Sequence, residues 1–212
     1  MSTTAARLLR EHGNVAKIFL EGSMMQNQTE IGERLHRRIG KRTTTQRRLD
    51  IQPAKRHEMV IAANILRSSA EWYRPFLHEK DMAQHEVDES WGEKEFSRRQ
   101  FYIGRSEGAP VGIVSTQSVG DMTYIGYIYV YDHQTGKGFG PQLLKHARDV
   151  AWQEGKRGMV LIAHPKAFWA TRSYRRFGFE CIATTRAQVL DWRGGWLKPY
   201  YEEGFELYQY LF

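Results

Sequence analysis

From about Arg47 onward, apolar residues recur alternately at strand spacing and at helix spacing, and that alternation points to an α/β or α+β domain. Leu49 to Ile51 reads as a first strand closed by Pro53, and Met59, Ala62, Ala63, Leu66 and Ala70 then place an apolar stripe on one face of a helix. Phe101-Tyr102-Ile103-Gly104 and Val111-Gly112-Ile113-Val114 flank Glu107-Gly108-Ala109-Pro110, whose turn residues predict a hairpin. A longer strand is expected over Tyr124 to Tyr131, and Phe139, Leu143, Leu144, Ala147, Val150 and Ala151 follow at helical spacing up to Gly155. Met159 to Ala163 has the continuous apolar run of a buried strand, although such a run alone does not exclude a helix. The remaining pattern predicts a helix over Phe168 to Phe177, stopped by Gly178, and two closing strands over Cys181 to Leu190 and Phe205 to Phe212.

The first 46 residues differ. Leu8, Leu9, Val15, Ile18, Phe19 and Leu20 around Gly13, and Ile31 with Leu35, suggest short helices with too few apolar residues for a core of their own. The chain therefore divides into a basic helical N-terminal extension, 1–46, and a main domain, 47–212, within the 212 residues.

Charge sharpens that division. Up to Arg56 there are 12 Lys and Arg against 5 Asp and Glu, so the net charge of +7 resides in the first quarter of the chain. A basic arm of this kind can neutralise phosphates. The segment Thr29 to Leu35 and the basic run to Arg48 faintly suggest a helix-turn-helix, but its second helix would run into the strand at Leu49. Nucleic-acid binding is therefore the disfavoured reading, and packing or homodimerisation of the arm the favoured one. No apolar stretch approaches the ~20 residues of a membrane span, no signal-peptide pattern opens the chain, and Cys181 is the only cysteine. A cytoplasmic protein without membrane contact is expected.

Candidate chemistry starts at the glycines. Tyr129-Val130 ends a strand, and Thr135-Gly136-Lys137-Gly138-Phe139-Gly140 opens the next helix, with Pro141 in its first turn. Glycines let a backbone approach a pyrophosphate closely, and the amides and dipole of a helix start favour negative charge. The spacing fits neither a P-loop nor the dinucleotide fingerprint. Further on stands Ala167-x-x-Ala170-x-x-x-Tyr174-x-x-x-Gly178-Phe179, in which Ala170 and Tyr174 share a helical face, with the small residue leaving room beside the tyrosine.

The order of these parts, over about Leu49 to Phe212, resembles the GNAT superfamily of acyl-CoA-dependent N-acetyltransferases. That family has an aromatic-Val strand end, then Arg/Gln-x-x-Gly-x-Gly/Ala, then Asn-x-x-Ala-x-x-x-Tyr-x-x-x-Gly-Phe. Thr135 and Ala167 stand here where Arg or Gln and Asn are usual. The resemblance implies a mixed, mainly antiparallel sheet flanked by helices and splayed between its fourth and fifth strands. It implies acetyl-CoA as cofactor, bound by Tyr129, Val130, residues Thr135, Gly136, Lys137, Gly138, Phe139 and Gly140, and Ala170, with a primary amine as acceptor. It also implies direct transfer in a ternary complex, an oxyanion donor in the backbone near Val130, and Tyr174 as the acid that protonates the departing thiolate.

Deprotonation of the amine has three candidates near strand ends, Asp132, His133 and His164, or a water relay. Cys181 has no His or Lys at a partner spacing and reads as inert packing. Seven acids between Glu79 and Glu95 form a solvated face or an acidic wall that would favour a cationic acceptor. The aromatic loop Asp191 to Tyr201 either contacts an acceptor or another subunit, or packs on the sheet. Two other classes of function compete: a CoA-binding sensor without turnover, and a nucleic-acid-binding regulator that uses the basic arm.

Overall fold

The computed structural model describes residues 48–82, 85, 87 and 89–212. The expected helical arm over residues 1–46 lies outside them.

In the unit Gln46–Phe212, seven strands form one sheet: β1 (Asp50–Pro53), β2 (Gln100–Ser106), β3 (Ala109–Val119), β4 (Met122–Val130), β5 (Gly158–Ala163), β6 (Glu180–Ala183) and β7 (Glu206–Leu211). Their spatial order is β1-β2-β3-β4-β5-β7-β6. All neighbours run antiparallel except β4 and β5. Pro53 is tolerated because β1 is an edge strand, where a missing N–H leaves no ladder bond broken. The hairpin turn between β2 and β3 is tighter than expected. Glu107 and Gly108 alone make it, both with positive φ, so Ala109 and Pro110 already belong to β3.

Alternation along the strands sends side chains to two cores. On one face Tyr102, Val111 and Val114 meet Leu143, Leu144 and Ala147 of the long helix Phe139–Gln153. On the other, Phe101, Ile103 and Ile113 meet Ala62, Ile65 and Leu66 of α1 (Met59–Ser69). Short helix α2 (Glu79–Met82) and α3 (Glu89–Arg98) follow α1. The helix Phe139–Gln153 is then α4, and α5 (Phe168–Phe177) occupies the predicted residues, stopped by Gly178 at φ 111°.

The predicted strand over Cys181 to Leu190 is corrected. Only Glu180–Ala183 is extended, and a short helix, α6 (Arg186–Asp191), follows. Thr185 starts it with a capping box: its hydroxyl accepts from the Gln188 amide, and the Gln188 side chain accepts from the Thr185 amide. The aromatic loop beyond it is largely packed. Leu197 is fully buried, and Trp196 and Tyr200 lie against Tyr124, with centroids 5.2 and 5.3 Å away.

Candidate active site

β4 and β5 pair only from Met122–Gly158 to Tyr124–Val160. Beyond that point they part, and the cause sits in β4. Ser115 opposes Tyr127 while Thr116 opposes Ile125, so Gly126 is the extra residue of a β-bulge. A bulge bends its strand and increases its twist. The separation leaves a cleft with about 780 Å³ of empty space, its mouth included, along Ile125 to Tyr129 on one side and Leu161 to His164 on the other.

The hydrogen-bonding ladder settles which β4 amides face this cleft. Tyr131 donates to the Val111 carbonyl at 2.9 Å and Tyr127 donates to the Ser115 hydroxyl at 2.9 Å, so the odd-numbered residues face β3. In an antiparallel pair the intervening residues point their N–H and C=O the other way. Ile128 and Val130 therefore turn their amides towards the gap where β5 has withdrawn. Among the described strands they form a half-buried strip of edge that none pairs with.

α5 closes the cleft with the second motif. Ala167, Ala170 and Tyr174 all line it, one helical turn apart. Tyr174 is buried against Phe179 and Tyr208. Burial above all, then the neighbouring tyrosines Tyr73, Tyr208 and Tyr124, holds its phenol well above the usual range, so it stays protonated. Tyr129 lines the same space and is raised for the same reason.

The glycine turn leads from the cleft into α4. Residues Asp132–Gln134 form a single helical turn after β4, and Gly136 and Gly138 both have φ 80°, a conformation that side chains resist. A Cβ at Gly136 or Gly140 would meet no atom within 4 Å, so the loop is open to an approaching group. The N-cap of α4 is Gly138, with no side-chain cap and no acid in the first turn. These features fit a pyrophosphate. Thr135 accounts for its departure from Arg or Gln by turning inward, its hydroxyl donating to the Tyr131 carbonyl at 3.4 Å. Lys137 donates to Gln134 Oε1 at 2.8 Å, and Phe139 is buried in the core below the turn.

The base candidates separate. Asp132 and His133 lie in the turn after β4 and do not line the cleft. His164 does, and burial, with a smaller contribution from Lys166, lowers its pKa towards the neutral form. Its Nδ1, however, accepts from the Lys166 amide at 3.2 Å, which leaves the ring proton on Nε2. The lone pair that a base needs is thereby engaged.

Three residues not anticipated from the sequence line the cleft: Glu202, His85 and Arg99. Glu202 is buried, its Oε2 3.5 Å from Nε2 of His85, which stacks on Tyr73 with centroids 4.7 Å apart. Arg99 is also buried and donates from Nε to Glu95 Oε2 at 2.6 Å. The described acids Glu79, Asp81, Glu93 and Glu95 do not line this cleft, and the side chains of Glu86, Asp88 and Glu89 lie outside the described ones. Glu93 pairs with Arg56, Glu95 pairs with Arg99, and Asp81 is buried.

The sheet and its split agree with the acetyltransferase expectation. Residues 64–179, more than half of the chain, match the model of the acetyltransferase (GNAT) family, and the protein belongs to that family. Comparison with curated proteins gives no match. Among solved structures, PaiA N-acetyltransferase from Thermoplasma acidophilum, in complex with coenzyme A, is similar at 14% identity and TM-score 0.63, over 78% of this chain and 99% of that one. A Bacillus subtilis acetyltransferase in complex with CoA gives 15%, 0.56, 78% and 99%. The ribosomal-protein-S18-alanine N-acetyltransferase of Escherichia coli gives 18%, 0.53, 77% and 94%.

Proposed function

We propose that the protein transfers an acetyl group from acetyl-CoA directly to a primary amine, of a small molecule or a peptide, held in the cleft between β4 and β5. The observation that carries this reading is the strip of inward-facing amides at Ile128 and Val130 opposite a buried, protonated Tyr174. Acyl transfer from a thioester needs donors aimed at the oxyanion, a neutral amine and a proton for the leaving thiolate. In this reading the β4 amides supply the first. Tyr174 holds the proton for the thiolate sulfur. Ala170 leaves width beside it for a thin pantetheine chain, and the Gly136 to Gly140 turn takes the pyrophosphate. Glu202 is the cleft carboxylate suited to accept the ammonium proton, with His85 behind it.

Incubation with acetyl-CoA and a panel of amines and peptides tests this. Amine-dependent release of CoA thiol, with an acceptor heavier by one acetyl group, is expected. Binding of acetyl-CoA with no transfer to any amine would contradict it and leave a CoA-binding sensor.

A further inference from the structure

Resting on that transferase reading, we infer that the acceptor is an amino-acid-like zwitterion whose carboxylate is held by Arg99 while its ammonium faces Glu202. The side chain of Arg99 is only 3% exposed, yet it lines the cleft. A buried guanidinium is costly unless its donors are matched. Arginine carries five N–H donors in a planar fork. Among the described residues Glu95 is its one carboxylate partner, taken at Nε, and the Tyr124 hydroxyl is a neutral hydrogen-bond partner. The rest of the fork lies among rings, 4.6 Å from the Tyr200 centroid and 5.0 Å from that of Tyr127. Rings hold the guanidinium in place but do not replace a second oxyanion as a hydrogen-bond acceptor.

Its placement is enforced from below. Gly126, the bulge residue, leaves the space that the Nη1 end of Arg99 fills. The same backbone irregularity that opens the cleft therefore seats a cation in it.

The opposite charge is close by. Glu202 and Arg99 line the same cleft, together with Tyr124 and Tyr127. With Glu95 at Nε and the neutral Tyr124 hydroxyl beside the fork, a purely cationic acceptor would bring no second oxyanion to the Nη donors, and a purely anionic one would face Glu202. A zwitterion adds no net charge and sets each pole against its complement. The planar fork suits a carboxylate, which it can hold with two parallel bonds.

The test compares free amino acids with their own carboxamides as acceptors, with rates expressed per neutral amine, in the wild type and in the paired variant Arg99→Gln/Glu95→Gln. Removing both charges avoids stranding a buried carboxylate. In the wild type the acid should exceed its amide in kcat/KM by about 10- to 100-fold, the range of hydrogen bonds to a charged group, with most of the difference in KM. In the paired variant that ratio should fall to about 1, and Arg99→Lys should be intermediate. Amides used as well as acids by the wild type would overturn the proposal whether or not the variant folds, as would a ratio that survives in the variant. Failure to acetylate any amine would instead overturn the transferase reading, and this proposal with it.

Discussion

Gly126 and Arg99 compete for one position on the sheet: a Cβ on the glycine would coincide with the Nη1 end of the arginine. Gly126→Ala should therefore displace the guanidinium and strain its buried pair with Glu95. Breaking such a pair outright costs ~3–5 kcal/mol, and partial displacement less. A loss of about 1–3 kcal/mol in urea unfolding is expected. A variant as stable as the wild type would mean that Arg99 moves aside without cost.

The glycine turn makes a prediction about the donor. Gly138 is left-handed and begins α4, so Gly138→Asp adds both a carboxylate where a pyrophosphate would sit and a modest backbone strain of roughly 1–2 kcal/mol. Calorimetry should show acetyl-CoA affinity reduced by at least about 100-fold in a folded variant. Retained affinity would remove the turn from the site.

Glu202 is the cleft carboxylate proposed to take the ammonium proton. Glu202→Gln keeps the shape and a hydrogen-bonding oxygen but loses the base, so kcat/KM should fall by ~100- to 10,000-fold. Unchanged kinetics would hand the proton to water.

Two histidines, His146 and His164, predict how stability depends on pH. Burial lowers the pKa of His146, whose Nε2 finds no partner among the described residues, and of His164. A histidine depressed in the folded state binds fewer protons there than when unfolded. Stability is thus retained above the unfolded value of ~6.5 and declines as pH falls through the window below it. His146→Leu, which keeps contact with Tyr102, should flatten that decline in denaturation experiments between about pH 7 and 5. An identical slope would show that His146 contributes none of it.

Much of this was legible in the chain because it is local. Helix α5 is framed by its own apolar spacing and by Gly178, and the glycine turn by its position between strand and helix. The strand over Cys181 to Leu190 misled because Val189 and Leu190 continue its alternation, while the capping box at Thr185 and Gln188 starts a helix within it. Arg99, Glu202 and His85 were hidden for another reason. They lie far apart in sequence and converge only when α3, the aromatic loop and the split of β4 are assembled. The partners of two acids were hidden likewise, since composition does not reveal that Glu95 and Glu93 face arginines.

In the proposed reaction Tyr174 returns a proton to the leaving thiolate. Tyr174→Phe keeps the ring packed on Phe179 and Tyr208 and removes only the hydroxyl. Rapid-quench single turnover with saturating acetyl-CoA and amine, from pH 7 to 9, tests this most directly. Transfer slowed ~10- to 1000-fold at neutral pH is expected, with acetyl-CoA affinity within about threefold of wild type. The defect should shrink towards pH ~8.5, where a thiolate leaves without help. Wild-type rates at neutral pH in the variant would take Tyr174 out of the chemistry and make it a core residue.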